Sequence, residues 1–200
     1  MGLAGLQENA KLTNLDLEHS VQSDAVLQTL DGLASLKLVD LSKCCVTSVE
    51  PLSSSSRLKK LILDWTEISD LSSVAYFHQL KELSLEGCKT TDLEPLSRLE
   101  EMTILNLAGT ALNDFAALKH TKNLVSINLS FAKVPDLTEL SQHPKLNSID
   151  IRWADTPDVK PLTKSQKKLK VHVTRKKLSW RQLWQLRRSK NIEILTDQWL

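Results

Sequence analysis

The chain has 200 residues, 41% hydrophobic and 25% charged, with a formal net charge of +2. That length suits one domain or two small ones and is ample to bury a core. No apolar run is long enough to span a bilayer as a helix, so a soluble protein is expected.

One Tyr, three Phe and five Trp are the only aromatic residues, so leucine carries the apolar load. The charge is divided unevenly. Residues 1–154 hold 14 Lys and Arg against 20 Asp and Glu, a net of −6, and residues 155–200 hold 12 against 4, a net of +8.

At the N-terminus, "MGLAGL" has no secretory h-region and places Leu6 where a myristoylation signal needs Ser or Thr. The segment offers Leu3 and Leu6 to a cap. The three cysteines, Cys44, Cys45 and Cys88, are an odd number without framework spacing, and the adjacent pair would bridge only with strain. A reducing, cytoplasmic setting is expected.

From Leu12 onward the chain repeats. An atypical unit (Leu12, Leu15, Leu17) precedes six units of 22 residues starting at Leu36, Leu58, Leu80, Met102, Leu124 and Leu146. Position four reads Val39, Leu61, Leu83, Leu105, Ile127, Ile149, and position six reads Leu41, Leu63, Leu85, Leu107, Leu129, Ile151. These columns are two apart and share one face of a short strand. Apolar columns at eleven (Val46, Ile68, Thr90, Leu112, Val134, Thr156), fourteen and seventeen step by three, as short helical or 3-10 turns do.

Pro51, Pro95 and Pro161 fall at position sixteen, and Pro135 and Pro157 at position twelve, where a fixed φ costs little. Asp70, Asp92, Asp114, Asp136 and Asp158 recur at position thirteen, as a cap for the turn that follows. One such coil cannot close a core, but stacked coils can.

"SDAVLQTLDGL" predicts an early helix with Val26, Leu27 and Leu30 inward and Ser23 or Asp24 as its cap. A degraded unit starts at Lys168 (Val171, Val173, Leu178). "LSWRQLWQLRRSK" then predicts an amphipathic helix capped by Ser179, with Trp180, Leu183 and Trp184 covering the last coil. "NIEIL" reads as a closing strand with Ile192 and Ile194 inward, and Trp199 and Leu200 end the chain.

The segments "LKKLILDWTEISDLSSV" and "MTILNLAGTALNDFAAL" resemble the leucine-rich repeat family, over roughly residues 12–178. The period is similar to the class of the phosphatase-1 regulatory subunit and bacterial internalins. The resemblance implies an α/β fold: a right-handed leucine-rich repeat solenoid with a concave parallel β-sheet, convex 3-10 or helical turns and a C-terminal amphipathic capping helix. One domain, 1–200, is expected: cap and atypical repeat over 1–35, six regular repeats over 36–167, degraded repeat and cap over 168–200.

The family's ladder position nine usually carries Asn. Here it reads Ser20, Cys44, Thr66, Cys88, Thr110, Ala132, Ala154, similar to some protozoan repeat proteins. Hydroxyls and thiols still offer a weaker donor. The alanines offer none, so backbone groups there must pair otherwise, with water one partner to hand.

Columns three, five, seven and eight form the concave face and its rim. They run from acidic (Asp16, Glu18, Asp40, Asp64, Glu82, Glu86) through neutral to basic (Arg152, Lys170, Arg175). Column eight reads His19, Lys43, Trp65, Gly87, Gly109, Phe131, Trp153, Arg175, so Trp65 belongs to the rim. Two readings of it stand open, a shield for the loop or a handle for a partner. Phe131 and Trp153 lie one coil apart beside Arg152, an aromatic–arginine cluster of the kind that anchors interfaces.

Histidines His78, His120 and His143 fall in the loops before strands. His19 and His172 are seven coils apart, roughly 35 Å at sheet spacing. No serine has a histidine and an acid in the same coil neighbourhood on one face, and no glycine-rich phosphate loop occurs. No catalysis, cofactor or metal is expected.

The expected function is a non-catalytic protein-interaction module, an adaptor, scaffold or regulatory subunit. It would hold an acidic or charge-split protein segment through Trp65, Phe131, Arg152, Trp153, His172 and Arg175. The runner-up is a binder of nucleic acid or another anionic surface through Lys167, Lys168, Lys170, Lys176 and Lys177 with Arg175. No membrane partner is expected.

Overall fold

A computed structural model of the chain describes residues 5, 6, 9, 11–155 and 158–196. Leu3, Thr156, Pro157, Trp199 and Leu200, which the sequence assigns to caps or columns, lie outside the described residues.

Among the described residues, nine strands form one parallel sheet in chain order: β1 Asn14–Asp16, β2 Leu38–Asp40, β3 Lys60–Ile62, β4 Glu82–Ser84, β5 Ile104–Asn106, β6 Ser126–Asn128, β7 Ser148–Asp150, β8 Leu169–Val173 and β9 Ile192–Thr196. Position four forms a continuous ladder in which Leu15 faces Val39, Val39 faces Leu61, and so on to Val171 facing Ile194. Positions four and six are buried throughout the regular repeats, because any register slip would turn this apolar set to solvent.

The chain returns through short turns on the convex side. Among the described residues, six are 3-10 segments, at Gln28–Leu30, Glu50–Leu52, Ser72–Tyr76, Glu94–Arg98, Ala116–His120 and Lys160–Lys164, and two are helical, α1 Asp24–Leu27, which runs into the first of these, and α2 Thr138–Gln142. The step of three explains them: Leu71 and Val74 are both buried, and the Val74 N–H donates to the Leu71 carbonyl at 2.9 Å. Pro51, Pro95 and Pro161 sit in the first turn of their segments.

The aspartates at position thirteen act as the sequence suggests. Asp70, Asp92, Asp114, Asp136 and Asp158 each accept the backbone N–H two residues on, at 2.8 to 3.1 Å. The early helix differs from expectation. Ser23 stands at its N-cap without a side-chain bond, and Asp24 instead accepts the Thr47 N–H of the next coil at 2.8 Å. Val26 is only partly buried, whereas Leu27 and Leu30 are fully enclosed.

The ladder at position nine works in two ways. The thiols of Cys44 and Cys88 donate to the carbonyls of Leu17 and Leu63, both at 3.0 Å, and the Thr66 and Thr110 hydroxyls donate to Leu63 and Leu107 at 2.7 and 2.6 Å. Burial pushes the Cys88 thiol up from its ordinary pKa, so it stays a protonated donor. Where Ala132 and Ala154 remove the side-chain donor, backbone replaces it. The Lys133 N–H donates to Thr110 O and the Asp155 N–H to Ala132 O, both at 2.8 Å, in a short parallel bridge running Ala111, Lys133, Asp155.

At the C-terminal end, α3 Trp180–Arg188 is capped by Ser179 in a reciprocal capping box with Gln182. Leu186 is buried and Leu183 partly so. Trp180 and Trp184, expected to cover the last coil, are 79% and 51% exposed. Leucines supply the lid because they, not the tryptophans, occupy the face turned to the Lys160–Lys164 turn and β9.

Candidate functional site

Each of the strands β1 to β7 ends in a turn that sets position eight on the rim. The position-nine N–H returns to the position-six carbonyl, as in Cys44 to Leu41 at 3.1 Å and Ala132 to Leu129 at 3.1 Å. The residue between them, at position eight, takes a left-handed backbone. His19, Lys43, Trp65, Phe131 and Trp153 lie at φ 57 to 59, and Gly87 and Gly109 at 68 and 69. Glycine is the residue such a turn favours. Bulky side chains there carry strain on the order of 1 kcal/mol each.

The strained residues hold the rim's aromatic groups outward. Phe131 and Trp153 are 66% and 43% exposed, and their rings stack 6.4 Å apart at an interplanar angle of 8°. Their backbones are fixed by the ladder: the Phe131 N–H donates to Arg152 O at 2.9 Å and the Trp153 N–H to the Thr174 hydroxyl at 3.2 Å.

Trp65 lies three coils away, about 15 Å at sheet spacing, and is 58% exposed. Its indole lies flat on Gly87, so close that a Cβ there would sit 2.6 to 2.8 Å from ring carbons. A Cβ at Gly109 would meet only Gly87 backbone, at 3.7 Å. The rim therefore dips at Gly109, between the Trp65 indole and Phe131.

Arg152, expected among the partner-binding residues, is already paired within its own coil. Its guanidinium clasps Asp150, with Nε 3.0 Å from both carboxylate oxygens and Nη2 2.6 Å from Oδ2. His172 is half-buried on β8 beside Asp150, and Arg175 is exposed one coil beyond Trp153. The structure thus gathers Phe131, Arg152, Trp153, His172 and Arg175 at one end of the rim and leaves Trp65 apart.

The five lysines are not gathered. Lys167 and Lys168 precede β8, Lys176 and Lys177 follow it, and Lys170 lies on the strand between, so the two pairs stand roughly 20 Å apart.

The acidic run is largely committed to structure. Asp16, Asp40 and Asp150 each accept the N–H two residues on. Asp64 accepts the Glu86 N–H and the Ser84 hydroxyl, doing this work where Ser84 replaces an acid or amide at position five. Glu18 pairs with Lys43 at 2.8 Å and Glu82 with Lys60 at 2.9 Å, both in the open and worth little.

Sequence reasoning overlooked the left-handed column, although two glycines among bulky residues are its signal. Ile104, which its column places on the concave face, is exposed but stands outside the expected site residues.

Open grooves lie between neighbouring coils away from the strand-end rim. One of about 430 Å³ runs beside Tyr76, Glu94 and Arg98, and another of about 400 Å³ beside His143, Lys164 and Lys167. Neither sets an acid beside a histidine. His143 is buried, and its Nε2–H donates to Thr121 O at 3.1 Å while Nδ1 has no hydrogen-bond partner. Among the described residues, no helix is long and apolar enough to cross a membrane and no three His, Cys, Asp or Glu are grouped to hold a metal ion.

No family model matches the sequence, and no curated protein matches it. Solved structures do resemble it. Internalin C2 of Listeria monocytogenes superposes with a TM-score of 0.79 at 22% identity, covering 96% of this chain and 84% of its own. The L. monocytogenes internalin inlF gives 0.73 at 23% identity, covering 96% and 58%. A leucine-rich repeat protein of Leptospira interrogans gives 0.71 at 20% identity, covering 95% and 56%. The chain therefore spans little more than half the length of the latter two. The parallel ladder, the short convex turns and these superpositions together make the fold a leucine-rich repeat solenoid.

Proposed function

We propose that the chain is a non-catalytic protein-interaction module whose partner seats on the strand-end rim and adjoining concave strip, anchored on Phe131 and Trp153. One observation carries this reading: two stacked, exposed aromatic rings held outward on left-handed backbone where glycine would fold with less strain. A core shield would be covered. Rigid, pre-stacked aromatics lose little entropy on contact, which is what an interface anchor needs.

Lys170 and Arg175 give this end a positive margin, and an acidic or charge-split segment complements it. Trp65 is a secondary contact across the dip at Gly109. An adaptor, scaffold or regulatory role follows from such a surface, and fold alone does not choose among them. Three free thiols, two of them buried hydrogen-bond donors, accord with a reducing cytoplasmic setting.

The test is a pull-down from native extract with the wild type, the double variant Phe131→Ala/Trp153→Ala, and the charge reversal Lys176→Glu/Lys177→Glu. The reading expects a specific partner that survives raised salt, is lost from the aromatic variant and is kept by the charge variant. A partner kept by the aromatic variant and released by salt refutes it.

A further inference from the structure

α3 presents a second surface that the rim does not use. Trp180 and Trp184 are four residues apart and share the outward face of the helix, 79% and 51% exposed. From Lys176 to Lys190 the chain holds six Lys and Arg and no Asp or Glu. Among the described residues, none of these six cations forms an ion pair. Leu183 and Leu186 already cap the solenoid, so packing gives the two tryptophans no reason to be there.

We propose that α3 and its flanking turns dock on the surface of an anionic lipid bilayer, with Trp180 and Trp184 entering the headgroup layer. An indole joins an apolar ring to a polar N–H and favours that boundary. Each cation held near an anionic surface strengthens partitioning roughly five-fold. A helix with tryptophans and arginines on its outer face lies in the plane of such a surface.

The geometry favours lipid over nucleic acid. Single strands need a groove whose aromatic faces are free to stack bases. Both tryptophans stand exposed on the outer face of one helix, and one face of Trp184 is covered by the Arg188 guanidinium at 4.5 Å from the ring centre. α3 sits at the end of the stack against the Lys160–Lys164 turn and β9, so docking leaves the strand-end rim open. The sequence alone gave no reason to expect a membrane partner, and the exposure of these side chains supplies one.

The test is co-sedimentation of the full chain with vesicles of phosphatidylcholine alone or mixed with phosphatidylserine, with bromine-labelled acyl chains as a depth-sensitive quencher of tryptophan emission. The proposal expects binding to the mixed vesicles at least roughly ten-fold above phosphatidylcholine, falling with salt and accompanied by quenching. Trp180→Ala/Trp184→Ala should lose the quenching and most of the binding, and Arg181→Glu/Arg188→Glu should abolish binding. An unchanged thermal midpoint certifies both variants, and if it falls, Trp180→Gln and Arg188→Gln singly take their place.

Equal binding to the two vesicle types, or binding untouched by the tryptophan substitutions, overturns the proposal. Displacement from mixed vesicles by a single-stranded RNA 20-mer, with the alanine variant still binding that RNA, overturns it in favour of nucleic acid. The rim reading stands or falls separately, because Phe131→Ala/Trp153→Ala should leave vesicle binding intact.

Discussion

Substituting alanine at Gly87 and at Gly109 asks what the Trp65 indole contributes to the rim. Both glycines have nearly the same backbone, φ 68 and 69, so the left-handed strain of an alanine is common to the two, about 1–2 kcal/mol. The surroundings differ. At Gly109 the new methyl meets only backbone at an ordinary 3.7 Å, whereas at Gly87 it would come 2.6 Å from an indole carbon, and the ring must swing away.

Trp65 is 58% exposed. A tryptophan can bury up to about 250 Å², so roughly 100 Å² of this one is covered, worth at most about 2.5 kcal/mol. Leaving Gly87 forfeits part of that, about 1 kcal/mol. Gly87→Ala should therefore destabilise by about 1 kcal/mol more than Gly109→Ala, and the excess should vanish in a Trp65→Ala background. Urea unfolding of the full chain with unchanged m-values measures all three differences. Equal losses at the two glycines, or an excess that persists without Trp65, would falsify the contact.

Burial is the larger cause that lowers the His143 pKa, and Lys167 adds to it. The unfolded chain therefore takes up the proton first as pH falls below the ordinary value of 6.5. Stability present above that pH should be lost as pH drops toward the lower folded value, and His143→Gln should flatten this part of a stability–pH profile. At ladder position nine, Thr110→Val should cost about 1 kcal/mol by denaturant titration, for the loss of one hydroxyl bond. Ala132→Thr, although it restores a hydroxyl, should cost about 1–3 kcal/mol by overpacking the closely bridged coil. Ser179→Ala removes the capping box of α3 and should lower stability by about 1 kcal/mol without altering rim contacts.

The period of 22 residues was enough to set the strands, their register and the buried columns, because each apolar position has one partner position in the next coil. The thirteenth-position aspartates and the Ser179 cap were likewise local, since a cap bonds backbone within a few residues of itself. The rim residues could be assigned to a column, and their exposure followed from its neighbours.

What the column could not disclose was conformation and pairing between coils. The left-handed backbone of Trp65, Phe131 and Trp153, the neutralisation of Arg152 by Asp150, and the use of Asp16, Asp40 and Asp64 as turn acceptors depend on where backbone amides arrive once the coils stack. The same holds for the alanine bridge, which replaces a missing side-chain donor with backbone from the next coil. At the C-terminal end the pattern fixed a helix but not its rotation. Leucine and tryptophan are both apolar, so periodicity allowed either to face inward. Only packing against the last coil seated Leu186 and turned Trp180 and Trp184 to the outside.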